Sequence, residues 1–227
     1  MKHALIIAGS RGLGFGLVRE YLARGWHVTA TARTPSDELV ALHRDAAGRL
    51  VIESLEVTSI AQTTTLVARL KGQSFDLLFL NPGIMAGFGA ALSDVPDGDI
   101  QNVFLINAIG PIRVADALAH LVVPGGTIAF MSSERGSISN NDGEGTELYR
   151  ASKAALNTLI RSFCARHGKD DLTVLAMHPG IVRTSMGGPD APLDIETSVG
   201  GLANVIEARW GSGRQVFVDY RNEIIPW

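Results

Sequence analysis

Near its start the chain reads Ala4-Leu5-Ile6-Ile7-Ala8-Gly9-Ser10-Arg11-Gly12-Leu13-Gly14, an apolar run that leads directly into a glycine-rich turn. Residues 13–24 follow with apolar side chains at helical spacing. Glycines let the backbone approach a pyrophosphate, and a helix that begins there directs its N–H groups at the anion. This order of strand, turn and helix predicts a dinucleotide-binding fold, although a tight turn without a ligand would carry the same glycines.

Apolar runs and amphipathic stretches alternate along the rest of the 227 residues. Such alternation predicts a Rossmann-type α/β fold, a doubly wound parallel sheet with helices on both faces, in a single domain over residues 1–227. Strands are expected at residues 4–8, 27–31, 50–57, 75–80, 127–132, 172–177 and 215–218. Helices are expected at residues 13–24, about 37–46, from a cap at Thr58 or Ser59 to about 71, about 100–120, 147–167 and about 194–209.

Composition excludes several classes of protein. Apolar residues make up 46% of the chain and charged residues 19%, which is typical of a globular protein. The net charge of -3 gives no reason to invoke nucleic acid or an anionic membrane. No apolar run approaches the length of a membrane span, so we expect a cytoplasmic protein. The histidines and the single cysteine, Cys164, lack metal-ligand spacing, and Cys164 is predicted to be a buried apolar residue.

Arg33 stands just past the second predicted strand, where an acidic residue would bind the 2′-hydroxyl of a ribose. A guanidinium instead suits a 2′-phosphate, because it binds the phosphate oxygens through several donors. Together with Arg11 in the glycine turn, Arg33 predicts that NADP(H) is preferred and that NAD(H) is the second choice. If Arg33 is only a solvated surface charge, this preference disappears.

Tyr149 and Lys153 are four residues apart, so both side chains leave one face of a predicted helix. A nearby ammonium favours the phenolate and lowers a tyrosine pKa from its usual value of about 10. The tyrosine can then exchange a proton with a carbonyl oxygen, and Ser133 can hydrogen-bond the same oxygen. Taken alone, the pair also fits a half-buried tyrosine beside a solvated lysine.

In combination these motifs resemble the short-chain dehydrogenase/reductase family, and within it the C-factor-like branch. The resemblance covers essentially the whole length. It rests on the glycine turn, Asn81-Pro82-Gly83, Asn107, Ser133, Tyr149 with Lys153, His178-Pro179-Gly180-Ile181-Val182-Arg183-Thr184, and the final Asp219-Tyr220 and Ile225-Pro226-Trp227. It implies an NADP(H)-dependent oxidoreductase that interconverts a carbonyl and an alcohol.

The resemblance also implies roles for individual residues. Tyr149 would be the acid/base, and Ser133, the second of the pair Ser132-Ser133, would orient the carbonyl. Lys153 would bind the nicotinamide ribose and tune Tyr149, while Asn107 would hold a water in a proton relay. Cofactor contacts are implied for Gly9, Ser10, Arg11, Gly12, Leu13, Gly14, Arg33, Glu56, Val57, Asn81, Pro82, Gly83, Tyr149, Lys153, Pro179, Gly180, Val182 and Thr184. Of these, Glu56 and Val57 would meet the adenine, and the Pro179 to Thr184 segment would meet the nicotinamide amide.

Pro111 gives independent support to the role of Asn107. Proline has no N–H, and its ring clashes with the carbonyl four residues earlier, which here belongs to Asn107. The Asn107 carbonyl is therefore predicted to lose its helical partner and to be free to accept a hydrogen bond from water. A helix kinked only for packing would carry the same proline.

Two departures from the family pattern affect the cofactor site. Ile7 and Ala8 stand where the family has threonine and its first glycine, and Gly9 follows one position later. The Cβ of Ala8 is expected to shift the end of the strand and weaken cofactor binding, with Gly9 compensating in part. Pro82 replaces the alanine of the family's Asn-Ala-Gly, which removes an N–H and favours an extended Asn81.

The substrate pocket is expected to be lined by Ile84, Met85, residues 134–146 and the segment after Thr184. Residues 140–145 contain no arginine or lysine, so we expect a small, neutral, partly apolar aldehyde or ketone. Met85 and Met186 could form an adaptable apolar wall or be ordinary core methionines. By resemblance the protein would form a homodimer or homotetramer.

The alternative function is a dinucleotide-binding regulatory or signalling protein with little turnover, because members of the C-factor-like branch are linked to signalling. A sugar-nucleotide epimerase would need a larger C-terminal part than residues 154–227 provide.

Overall fold

The computed structural model describes residues 1–167 and 171–227. Within these residues seven parallel strands form one sheet in the order β3-β2-β1-β4-β5-β6-β7. The strands are β1 (His3–Ile7), β2 (His27–Ala32), β3 (Leu50–Ser54), β4 (Phe75–Leu80), β5 (Val122–Met131), β6 (Thr173–His178) and β7 (Gln215–Asp219). The predicted Rossmann-type doubly wound sheet is confirmed. Its strand order reverses between β1 and β4, where such sheets open a crevice at their carboxyl ends.

Seven α-helices accompany the strands in the described part of the chain. They are α1 (Gly12–Ala23), α2 (Asp37–Asp45), α3 (Ile60–Arg69), α4 (Asp97–Phe104), α5 (Gly110–Leu118), α6 (Glu147–His167) and α7 (Ile195–Ala208). A π-helical turn, Leu105–Ile109, joins α4 to α5, and short 3₁₀ turns occupy Leu92–Asp94, Ala119–Leu121 and Glu134–Gly136. Side-chain oxygens of Ser36, Ser59 and Asp194 accept hydrogen bonds from N–H groups in the first turns of α2, α3 and α7, which explains where these helices begin.

Several strands and helices begin or end at residues other than those predicted from the sequence. β3 ends at Ser54, so Glu56 and Val57 lie beyond the strand and not inside it. β5 begins at Val122, five residues before the predicted start, because its pairing with β4 continues past an irregularity around Pro124 and Gly125. The helical stretch before Asn107 begins at Asp97, three residues before the predicted start.

Two apolar cores lie on opposite faces of the sheet. One packs α3, α5 and α6 against one face, and the other packs α1, α2 and α7 against the other. Successive residues of the central strand β4 alternate between them, with Leu78 and Leu80 in the first core and Leu77 and Phe79 in the second. This burial on both faces is why β4 is a continuous apolar run in the sequence.

Residues Asp97–Leu121 form a 25-residue helical stretch that is apolar and long enough to cross a membrane by length and composition alone. The sequence expectation that no stretch approaches this length was therefore wrong. Within the fold, 56% of its most apolar window is buried, and Val114, Ala115 and Leu118 pack in the core beside β4 and β5. The apolar character of this stretch is accounted for by its place in the core.

Ala8 adopts a left-handed backbone conformation, with φ at 64°. This region costs little for glycine but strains a residue that has a Cβ. The conformation is held from both sides of β1: the Ala8 N–H donates to Thr31 Oγ1 at 3.1 Å, and its carbonyl accepts from Asn81 Nδ2 at 3.0 Å. Ala8 thus has a backbone conformation that favours glycine, the residue of the family pattern at this position, and it is strained.

We expect Ala8→Gly to raise the free energy of unfolding by about 1 kcal/mol, because relief of the left-handed strain outweighs the added chain entropy of glycine. Urea denaturation measures the change. Ala41→Gly is the matched control, since Ala41 is an exposed residue inside α2 and glycine there should cost about 1 kcal/mol. Equal destabilisation by both substitutions would contradict the strain at Ala8.

Candidate active site

The N-terminus of α1 lacks a cap of its own. Arg11 is the N-cap residue, but no side chain there accepts a hydrogen bond, and the first turn contains no acidic residue. The first N–H groups of a helix need an acceptor, and an anion at this end is stabilised by the helix dipole. With Gly12 at φ 54° opening the helix, the residues present fit the pyrophosphate of a dinucleotide.

Gly14 and Gly9 permit close packing between different elements of the fold. A Cβ on Gly14 would overlap the Ala8 carbonyl oxygen and would lie 2.7 Å from Asn81 Nδ2, so Gly14 allows the helix to meet the end of β1. A Cβ on Gly9 would lie 3.0 Å from both the Ala30 Cβ and the Val18 Cγ2. Gly9 therefore permits close packing of α1 on β2, and its contact with a cofactor remains a prediction.

The other predicted residues of the turn take part in its support. The Ser10 carbonyl accepts a hydrogen bond from Ser36 Oγ at 2.7 Å, and Ser36 also caps α2. Leu13 packs against the core between α1 and α7. The turn is thus tied to the start of α2, at the carboxyl end of the sheet.

Arg33 and Glu56 lie together beyond the ends of β2 and β3. Arg33 Nη1 is 3.4 Å from Glu56 Oε2, and the Arg33 side chain is 64% exposed. The other Glu56 oxygen accepts from the N–H and the hydroxyl of Thr58, at 3.3 and 3.2 Å. Val57 is buried in the core. Arg33 is therefore available to a phosphate, while Glu56 is held by its own turn.

Asn107, Gly83 and Lys153 converge at the centre of the site. The Asn107 side chain accepts from the Ile84 N–H at 2.7 Å and donates to the Ile84 carbonyl at 2.8 Å and to Ser152 Oγ at 3.0 Å. A Cβ on Gly83 would lie 3.5 Å from Lys153 Nζ and 3.9 Å from Asn107 Oδ1. Asn107 thus joins the segment after β4 to α6.

The helix that carries Asn107 departs from α geometry where Pro111 predicts that it should. Residues Leu105–Ile109 form the π-helical turn, and the Gly110 N–H donates to the Leu105 carbonyl. Such turns insert a residue into the helix and disturb the regular ladder of hydrogen bonds. That the Asn107 carbonyl is free to accept a bond from water stays a prediction.

The two neighbouring serines have separate environments. Ser132 Oγ donates to Asn157 Oδ1 at 2.6 Å and is committed to α6. Ser133 Oγ accepts from the Arg135 N–H at 3.2 Å, and its own hydroxyl proton is not used in that bond. This arrangement favours Ser133 as the serine available to a substrate.

Burial dominates the electrostatics of Tyr149 and Lys153. Lys153 is 2% exposed, its ammonium donates to the Met131 carbonyl at 2.8 Å, and Nζ lies 5.8 Å from the centre of the Tyr149 ring. Burial lowers the pKa of Lys153 to about 7. Burial also raises the pKa of Tyr149, while the Ser133 side chain and the charge of Arg135 act in the opposite direction. The prediction that the Lys153 ammonium lowers the pKa of Tyr149 was wrong, because burial raises that pKa. The sequence also gave no indication of Arg135.

The segment predicted to meet the nicotinamide is anchored in the fold. The Pro179 carbonyl accepts from Ser198 Oγ at 2.7 Å, and Val182 is buried and bridges to Leu193. Gly180 has φ of 81°, and a Cβ there would overlap the Leu193 side chain. This segment is therefore held in place by the hydrogen bond from Ser198 of α7 and by the β-bridge between Val182 and Leu193.

Thr184 brings the end of that segment back to the glycine turn. A Cβ on Gly12 would lie 3.9 Å from Thr184 Cγ2. Thr184 Oγ1 accepts from the N–H groups of Met186 and Gly187 at 3.3 and 3.2 Å. The end of this segment thus lies next to the glycine turn.

Pro82 is buried and Asn81 half-buried, between the glycine turn and the predicted catalytic tetrad of Asn107, Ser133, Tyr149 and Lys153. Ile84 and Met85, predicted to line the substrate pocket, are half-buried, whereas Met186 is 41% exposed. The Gly89 N–H donates to the Gly145 carbonyl at 2.9 Å, which joins the loop after β4 to the loop before α6.

A cavity of about 240 Å³ opens at the ends of β6 and β7. Its lining includes Glu134, His178, Gly180, Ile181, Leu193 and Tyr220. His178 Nε2 lies 3.7 Å from Glu134 Oε2, and burial lowers the pKa of His178. Sequence reasoning gave His178 no role beyond its place in the motif.

Cys164 is half-buried on α6, and burial raises the pKa of its thiol to about 11. A thiol with such a pKa is a poor nucleophile. In residues 1–167 and 171–227 no group of three or more His, Cys, Asp or Glu side chains could hold a metal ion.

Comparison with known proteins agrees with this geometry. The family model described as short chain dehydrogenase matches residues 2–192. C-signal of Myxococcus xanthus is 38% identical over 154 residues, which cover 67% of this chain and 92% of that protein.

Several solved structures cover the whole of this chain, and two of them have bound NADP and 38% or more sequence identity. A Burkholderia multivorans protein described as a short-chain dehydrogenase/reductase, with bound NADP, superposes with a TM-score of 0.96 at 41% identity, over 100% of this chain and 99% of that one. A carbonyl reductase from Pseudomonas aeruginosa PAO1 in complex with NADP gives a TM-score of 0.92 at 38% identity, over 100% of both chains.

We expect Gly14→Ala to lower the free energy of unfolding by about 1–3 kcal/mol, because the new Cβ forces α1 away from the end of β1. Gly200→Ala in α7 is the matched control, since a Cβ there meets nothing within 4 Å and should raise stability by about 0.5–1 kcal/mol. Chemical denaturation of both variants measures the difference. A Gly14→Ala protein as stable as the control would contradict the close approach.

Proposed function

The chain belongs to the short-chain dehydrogenase/reductase family, and we propose that it is an NADP(H)-dependent oxidoreductase that interconverts a carbonyl group and an alcohol. One observation carries this proposal. Lys153 Nζ and Asn107 Oδ1 lie beside Gly83, Lys153 Nζ is 5.8 Å from the centre of the Tyr149 ring, and the Ser133 side chain hydrogen-bonds Tyr149. A proton donor is thereby combined with a dinucleotide site.

Each of the four residues has a task in this proposal. The cofactor supplies or accepts the hydride. Tyr149 exchanges a proton with the substrate oxygen, and Ser133 holds that oxygen by a hydrogen bond. Because burial raises the pKa of Tyr149, the protonated phenol predominates at neutral pH, which suits the donation that carbonyl reduction requires.

Lys153 and Asn107 support the proton transfer. With a pKa lowered to about 7, Lys153 can change its protonation state near neutral pH. It would bind the nicotinamide ribose and pass a proton toward Tyr149. The backbone carbonyl of Asn107, next to the π-helical turn, would hold the water that connects this relay to solvent.

NADP(H) is the favoured cofactor for two reasons. Two structural relatives that cover the whole chain are crystallised with NADP. In this chain the exposed Arg33 lies beyond β2, where it could bind a 2′-phosphate after leaving Glu56.

The substrate is proposed to be a small carbonyl compound with an apolar part. Ile84 and Met85 lie beside the site, and Phe88, Ile138 and Met186 are exposed large apolar side chains on the surrounding loops. The neutral character expected from the sequence depends on residues 140–145, which lack arginine and lysine.

A regulatory or signalling protein with little turnover is the second candidate. The likeness to C-signal favours it. The presence of all four tetrad residues favours chemistry, since a binding protein has no need of a buried tyrosine and lysine in this arrangement.

We expect Tyr149→Phe to reduce carbonyl turnover by at least about 100-fold, because the proton donor is lost, while NADPH binding is retained. Tyr21→Phe is the matched control: the Tyr21 hydroxyl is buried away from the site and has no hydrogen-bond partner in the described structure. Steady-state kinetics and a fluorescence titration of NADPH measure the two effects. Unchanged turnover in Tyr149→Phe would favour the regulatory alternative.

We expect Arg33→Met to weaken NADPH binding by about tenfold, which corresponds to one lost charge-assisted hydrogen bond to the 2′-phosphate. NADH binding should stay the same, because NADH lacks that phosphate. Arg44→Met, on the exposed surface of α2, is the control for the change in net charge. Equal losses for the two nucleotides in Arg33→Met would count against a 2′-phosphate contact.

A further inference from the structure

Arg135 lies two residues after Ser133, on the short turn Glu134–Gly136 that follows β5. Its N–H donates to Ser133 Oγ at 3.2 Å. The base of the Arg135 side chain therefore lies beside the hydroxyl that we propose holds the substrate carbonyl. No role for Arg135 came from the sequence motifs.

The turn that carries Arg135 is fixed on α6. A Cβ on Gly136 would lie 2.8 Å from the carbonyl carbon and from the Cβ of Lys153, so the glycine lets the turn touch the helix backbone. The Asn157 amide also donates to the Gly136 carbonyl at 3.1 Å. Since Tyr149 is on the same helix, the starting point of the Arg135 side chain is fixed relative to the proton donor.

The Arg135 guanidinium has no partner among the residues that the structure describes, whereas Arg33 and Arg221 pair with neighbouring carboxylates. The adjacent Glu134 directs its carboxylate to His178 at 3.7 Å instead. Arg135 is half-buried, and among the described residues no carboxylate occupies its guanidinium.

The charge of Arg135 reaches the reacting group. It lowers the pKa of Tyr149 and also that of His178, which lines the neighbouring cavity. The guanidinium therefore acts on both the proposed proton donor and His178.

We propose that Arg135 binds a carboxylate carried by the carbonyl substrate, so that the substrate is an oxo acid whose remaining surface is apolar. A guanidinium binds a carboxylate through two parallel hydrogen bonds. A single cation next to the acidic Glu134 suits a singly charged group better than a phosphate dianion. The inference rests on the proposed function, and it supplies the cation that residues 140–145 lack.

The test compares an aldehyde acid with its neutral ester. The rates of NADPH-dependent reduction of 4-formylbenzoate and methyl 4-formylbenzoate are measured for the wild type, Arg135→Gln and Arg113→Gln. Arg113 is exposed on α5, so its replacement changes the net charge equally and away from the site.

We expect Arg135→Gln to lower kcat/KM for the acid about tenfold more than kcat/KM for the ester, equivalent to about 1.4 kcal/mol, because the effect of the Arg135 charge on Tyr149 is common to both substrates. Arg113→Gln should change neither. Equal losses for acid and ester in Arg135→Gln, or no loss for the acid, would overturn the assignment.

If the proposed function itself is wrong, the wild type will reduce neither aldehyde, which distinguishes that outcome from a wrong assignment of Arg135. Calorimetric titration with 4-(hydroxymethyl)benzoate and its methyl ester, in the presence of NADP, tests Arg135 without turnover. Tighter binding of the acid that is lost in Arg135→Gln supports the carboxylate site. Equal binding of acid and ester to the wild type overturns it.

Discussion

The position of α6 against the end of β5 controls the candidate site, and three buried hydrogen bonds set it. Ser132 Oγ donates to Asn157 Oδ1, and the Asn157 amide donates to the Gly136 carbonyl. The Lys153 ammonium donates to the Met131 carbonyl. An unpaired buried polar group costs about 1–3 kcal/mol, so a shift of α6 along the strand end would lose several such bonds at once. Ser133, which follows β5, and Tyr149 of α6 are thereby held in one arrangement.

Burial then decides the chemistry of this arrangement. It acts in opposite directions on the two titrating groups, lowering the pKa of Lys153 and raising that of Tyr149, because in both cases the neutral form is favoured. The Ser133 hydrogen bond and the charge of Arg135 act against burial at Tyr149, and burial is the larger effect. The pKa values of the tyrosine and the lysine are therefore set mainly by exclusion of water.

The fold could be predicted from the sequence because its signals are local. The strand, glycine turn and α1 are consecutive, and the tyrosine and lysine share one helix face. Other features depend on contacts between residues that are far apart in the sequence, which the spacing of apolar residues does not reveal. Arg135 reaches the site because Gly136 lets its turn touch α6, and Ala8 keeps a left-handed conformation because Thr31 and Asn81 hold it. The sequence showed that Ala8 departs from the family pattern, but it did not show that Thr31 and Asn81 hydrogen-bond Ala8.

The backbone hydrogen bond between Gly89 and Gly145 links the loop after β4 to the loop before α6, the two loops that we propose border the substrate. Both residues have positive φ, 74° and 79°, and neither presents a side chain at the contact. Because the link joins the main chain of one loop to the main chain of the other, it requires no particular side chain on either loop. The side chains of these loops can therefore diverge to suit different substrates while the frame of the entrance stays the same.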